Sequence, residues 1–165
     1  MIALKITDTK TFMSKLLIKD TFHDFSLTEA EITTFSTLKI DGSINKAFYT
    51  AEELEALGDQ PFATWKQIQP YCFNFVKGTK TPTSMKLIYA LPAGEVTRLL
   101  TENGLSYSIS DIEGLFLNFK YADGGVSCIT GTSVRFFTMD KSLDHALDAY
   151  TRKFLLNAGI DFEEE

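Results

Sequence analysis

LFLNFKYADGGVSCITGTSVRFFT, residues 115–138, is the stretch whose reading decides the fold. Leu115, Leu117, Phe119 and Tyr121 fall at every second position, the period of a strand with one buried face. Asp123, Gly124 and Gly125 supply a tight turn that needs positive φ, and Val126, Cys128 and Thr130 return in alternation. Gly131 is expected to break the chain before a third strand over residues 133–137. This is the pattern of a core sheet, and it carries no signature of an active site.

Working outward, residues 85–91 alternate as a strand, and Pro92 opens a helix that Asn103-Gly104 closes. Residues 105–112 form an extended link. Beyond the central stretch, Asp140 or Ser142 caps a helix over residues 141–158, with Leu143, Leu147, Tyr150 and Phe154 on one face. The tail, residues 160–165, is expected to fray. At the other end residues 2–6 alternate as a strand, and Asp8 caps a helix over residues 9–19. Alternation from Ile32 to Ile40 leads into Asp41-Gly42-Ser43 and returns over residues 44–49, which predicts a hairpin around the Asp-Gly pair. Thr50 and Glu53 make a capping box for a short helix stopped by Gly58. Residues 64–78 have helical spacing interrupted by Pro70. The expectation is a helical turn ending at Gln69, then a new helix with Pro70 in its first turn.

These elements predict one α+β domain over residues 1–165, an antiparallel sheet with helices packed on one face. The length suits a single domain with a substantial core, and fourteen Phe with six Tyr favour a sheet-rich one. Cys72 and Cys128 lie in apolar stretches and read as buried thiols, too few for a metal site or a disulfide framework. No window reaches the length of a membrane span and the amino terminus lacks a signal-peptide pattern, so a cytoplasmic protein is expected. A net charge of −6 is not that of a dedicated nucleic-acid binder.

The element order repeats. Strand, helix and hairpin appear over residues 1–50 and again over residues 85–138, separated by a helical segment over residues 51–78. A shift of about 83 pairs Leu4 with Leu87, Met13 with Val96 and Leu16 with Leu99, which motivates an internal duplication. In element order this resembles a DNA sliding-clamp domain, where two such units place their helices on an inner surface facing DNA. That resemblance implies a clamp-like, nucleic-acid-associated assembly. The segments ALKITDTKTFMSKLL, WKQIQPYCFNFVKGTKTP and GLFLNFKYADGGVSCITGTS are also similar to those of an uncharacterised family of short bacterial proteins, mostly from Gram-positive anaerobes. That likeness spans nearly the whole chain and implies a shared fold with no assigned activity.

Candidate contacts for an anion or nucleic acid are Lys10, Lys15 and Lys19 on the first helix, Arg98 on the helix after Pro92, and Lys77 and Lys80 in a basic loop. That loop contains Gly-Thr-Lys-Thr but neither the spacing nor the following helix of a phosphate-binding loop. His23 beside Asp24, and His145 between Asp144 and Asp148, are the histidine-carboxylate combinations, with no nucleophile motif to accompany them. Glu29 with Glu31, and Asp111 with Glu113, are carboxylate pairs at strand spacing, more simply read as solvent-facing. No catalytic residue, cofactor or metal is assigned. The leading expectation is a non-catalytic binding or scaffold protein, as a homo-oligomer or with a protein or nucleic-acid partner. The alternative is a small-molecule-binding protein or enzyme with a pocket between the sheet and the helix around Trp65–Val76.

Overall fold

In the structure, a computed structural model describing residues 1–78 and 80–165, the alternating stretch becomes two long paired strands. The chain runs β1 (Ala3–Ile6), α1 (Thr9–Leu17), β2 (Ser26–Thr33), β3 (Thr37–Asp41), α2 (Ala51–Leu57), α3 (Trp65–Val76) and β4 (Ser84–Ala90). It continues with α4 (Ala93–Glu102), β5 (Ile112–Ala122), β6 (Gly125–Val134), α5 (Ser142–Asn157) and β7 (Phe162–Glu164). The strands form one antiparallel sheet in the order β3-β2-β4-β5-β6-β1-β7.

Side-chain alternation gives this sheet two unlike faces. Leu4, Ile32, Leu87, Leu117 and Cys128 point to one face and are buried under α1, α3, α4 and α5, which together enclose a single core. Phe12, Phe22, Phe25, Tyr89 and Phe119 interlock there, with Phe22 stacked on Tyr89 at 5.6 Å between ring centroids. Such aromatic pairs contribute about 0.5–1.5 kcal/mol each beyond their buried area. The opposite face carries Lys5, Lys86, Ile88, Asn118 and Lys120 and is open to solvent. An antiparallel sheet covered on one side is the α+β arrangement expected from the sequence.

Several local expectations are corrected. The β2–β3 hairpin turns at Thr34-Phe35-Ser36, ahead of Asp41-Gly42, which instead closes β3. Gly42 packs against the Leu27 backbone so tightly that a Cβ there would lie 1.7 Å from the Leu27 carbonyl oxygen. Its glycine therefore serves close approach, and Ile44 leaves the sheet to bond Pro61. Gly131 does not break β6; it sits in register opposite Phe116, so residues 115–138 make two strands. Pro70 lies inside one continuous α3, on its exposed side, where the missing N–H leaves one ladder bond unmade. The tail is ordered as β7, because residues 162–164 find the free edge of β1.

The two units do not make equivalent pairings. β1 enters the sheet beside β6, the second strand of the later hairpin, whereas β4 enters beside β2, the first strand of the earlier one. A twofold repeat requires β4 to pair with β3, and it does not. The shared element order therefore does not extend to the sheet.

Candidate functional site

α4 and α5 lie side by side on the covered face, and a groove opens between them. On α4, Val96, Leu99 and Leu100 turn into the core, which leaves Glu95, Arg98 and Glu102 at i, i+3 and i+7 on its other side. On α5, Leu147, Thr151 and Leu155 are buried, while Tyr150, Lys153 and Phe154 face the groove. The groove has a volume of about 350 Å³ and is lined by Arg98, Glu102, Asn103, Tyr150, Lys153 and Phe154, among others. A second recess of about 220 Å³, bordered by Thr21, Asp24, Phe25 and Pro92, shares Glu95, Arg98, Tyr150 and Phe154 with it.

The floor is aromatic. Tyr150 and Phe154 stack with an interplanar angle of 12°, and Phe154 meets Phe25 edge-on at 5.0 Å. The rim is ionic. Arg98 Nη2 reaches Glu95 Oε2 at 2.9 Å, and its Nε lies 3.7 Å from Glu102 Oε1. Burial, and then the neighbouring Glu95 carboxylate, push the Tyr150 phenol well above its ordinary pKa, so it is a neutral hydrogen-bond donor at physiological pH. A concave, aromatic surface with a few convergent polar groups is the general form of a small-molecule site.

The remaining sequence candidates are dispersed. Lys10 and Lys19 are exposed on or just beyond α1, and Lys15 is half-buried. α1 packs on α3 while α4 packs on α5, so the three lysines and Arg98 belong to different helix pairs. Lys77 and Lys80 are exposed in the loop after α3; Thr79, between them in Gly-Thr-Lys-Thr, lies outside the described residues. The space between α3 and the sheet is occupied by core. Trp65 and Cys72 are fully buried there, and the Trp65 indole meets Tyr89 edge-on at 5.4 Å.

Both histidine combinations resolve into structural contacts or none. His23 Nε2 bonds Gln69 Oε1 at 2.6 Å, with no part taken by Asp24. Asp148 points away from His145 and accepts a hydrogen bond from buried Thr130 at 2.6 Å. Asp144 accepts from Thr132 and faces Lys141 at 3.6 Å. Glu29 pairs with Lys86 at 3.5 Å, Glu113 accepts from Ser133, and Asp111 caps Ser108. Among the described residues no group of three potential ligands gathers to hold a metal ion. Cys72 and Cys128 are free and buried, and burial pushes both thiols up to about 12. Among the described residues no helix is long and apolar enough to cross a membrane.

Of the sequence candidates, then, the groove takes only Arg98. Tyr150 and Phe154 read as a core stripe, and Lys153 and Glu102 carried no signal beyond helical spacing. Neither the curated proteins nor the solved structures hold a match to the chain. Residues 15–163 match the model of a family described as a family of unknown function (DUF5721), and the chain belongs to that family.

Proposed function

We infer that this is a non-catalytic binding protein whose ligand seat is the α4–α5 groove. The observation that carries this is the joining of the two recesses over one aromatic floor, Tyr150 and Phe154, beneath a shared Arg98. The ligand class that fits is a small amphipathic molecule. Its ring or apolar part rests on the aromatic floor, and its anionic head is held by Arg98 and Lys153 while Tyr150 donates a hydrogen bond. Binding is favoured over catalysis because His23, Asp144 and Asp148 are engaged in bonds that hold elements together. A nucleic-acid role has less behind it: the candidate cations are split between helix pairs, and Arg98 is flanked by Glu95 and Glu102.

The test is a thermal-shift and NMR titration with defined probes: benzoate, indole-3-acetate and nucleoside monophosphates. At least one aromatic anion is expected to raise the melting temperature and perturb the resonances of α4 and α5, with both effects lost in Arg98→Ala and Tyr150→Ala. Absence of any shift across the panel, or shifts that survive both substitutions, would overturn the assignment.

A further inference from the structure

The open face of the sheet has a charge pattern set by strand register. From β3 to β5 one row reads Lys39, Glu31, Lys86 and Lys120, each the cross-strand neighbour of the next. The same row continues through Ser127 on β6, Lys5 on β1 and Glu163 on β7. The adjoining row is apolar at its centre, with Ile88, Asn118 and Ile129 in succession, and Phe116 lies one row beyond. Lys86 and Lys120 stand directly opposite one another, an arrangement that costs stability when left uncompensated. Glu29 reaches Lys86, but among the described residues no carboxylate lies within ion-pair distance of Lys120.

We propose that this face closes against the same face of a second copy, about a twofold axis lying along β5. Such an axis reverses the strand order of the second copy and keeps the position along each strand. Glu31 then faces Lys5 of the second copy, Lys39 faces its Glu163, and both contacts occur twice by symmetry. In the adjoining row Ile88 meets Ile129, Asn118 meets Asn118, and beyond them Phe116 meets Phe116. The charged row is thus self-complementary at its ends, with Lys120 facing Lys120 as its one mismatch, and the adjoining row is apolar near its centre.

A phosphate chain fits this surface less well. Glu29, Glu31 and Asp41 on one side and Glu163 on the other would repel it. With strands about 4.8 Å apart and same-face residues about 6.8 Å apart, three rows across the sheet offer about 600 Å² per copy, or about 1,200 Å² in total. That is the lower bound of specific interfaces, so a reversible dimer is expected. Two sheets meeting this way form an aligned sandwich in which the edge pairs lie at the solvent rim.

Sedimentation equilibrium over a wide concentration range tests this, with circular dichroism confirming that each variant is folded. The wild-type mass should rise from monomer to dimer with concentration. Lys5→Glu should weaken the dimer about tenfold, and adding Glu31→Lys to it should recover most of the loss. Lys120→Gln should tighten the dimer, because it removes the mismatch. A wild type that stays monomeric, or a dimer indifferent to Lys5→Glu, would overturn the proposal. So would a monomer retained on single-stranded DNA at low salt and released by Lys120→Gln, which would make a polyanion the occupant of the face.

Discussion

Gln69 on α3 caps the end of α1 through Leu16: its side-chain nitrogen donates to the Leu16 carbonyl at 2.9 Å and to the Lys19 carbonyl at 2.8 Å. Trp65, one turn earlier, donates to the same Leu16 oxygen at 2.9 Å. Carbonyls in the last turn of a helix have no partner within it, and here a second helix supplies the donors. Because the Gln69 nitrogen serves these carbonyls, its oxygen must accept, so His23 Nε2 carries the proton in their shared bond.

Gln69→Leu keeps the volume and removes the three bonds that Gln69 makes, leaving the Trp65–Leu16 bond in place. It is expected to destabilise the protein by about 1–3 kcal/mol, chiefly by orphaning the Lys19 carbonyl and His23. Urea denaturation should show a lower midpoint with an unchanged slope.

Tyr89 gives the opposite case. Its ring stacks on Phe22 and Phe25 at the centre of the core, yet its hydroxyl is fully buried with no hydrogen-bond partner among the described residues. Tyr89→Phe retains the stacking and deletes the unpaired group. The variant should be more stable by up to about 1 kcal/mol, measured as a raised melting temperature.

At Gly42 even one methyl group is too large. Gly42→Ala drives a Cβ into the Leu27 carbonyl and disrupts the Gly42–Ala63 contact that ties the segment before α3 to the sheet. A loss of about 3 kcal/mol or more is expected. By contrast Gly94→Ala, in the first turn of α4 where a Cβ meets nothing within 4 Å, should be neutral or stabilising in the same assay.

Acid should weaken the protein through four hydrogen-bonded carboxylates. Hydrogen bonds from Thr11 to Asp8, Ser43 to Asp41, Thr50 to Glu53 and Ser142 to Asp140 hold each carboxyl below its ordinary pKa. A group whose pKa is lower when folded contributes stability above its unfolded value, and loses it as pH falls through the folded one. Melting temperature should therefore be nearly level from pH 7 to about 5 and decline below about pH 4. Asp140→Asn should lower the neutral-pH value and flatten part of that decline.

The fold class was legible wherever the signal was local. Alternation in β4, β5 and the first half of β6, the capping box at Thr50 and the Asp8 cap all depend on neighbours in sequence, and all appear as expected. Misreadings arose where a distant contact decided the outcome. Asp41-Gly42 has the chemistry of a hairpin turn, but the Leu27 backbone claims Gly42, and the turn moves to Thr34–Ser36 residues without such a signature. The acidic tail has low strand propensity and becomes a strand because β1 offers an open edge. The groove was harder still. Tyr150 and Lys153 are ordinary helix residues until α4 lies beside them, and no periodicity within α5 encodes that neighbour.

The place of β1 in the sheet also sets how the chain can fold. Leu4 pairs with Cys128, so the first strand has no partner until roughly 120 further residues exist. Until then its apolar side chains must remain unpaired or be shielded by something else. Closing so long a loop late makes folding slow for a domain of this size, since rates fall as contacts become less local. During synthesis β2 and β3 can pair as soon as they emerge, and β4 can join them, but the half of the sheet built on β1 is completed last. The sheet therefore grows from the β2–β3 end, and the chain is most exposed to misassociation while β1 waits for β6.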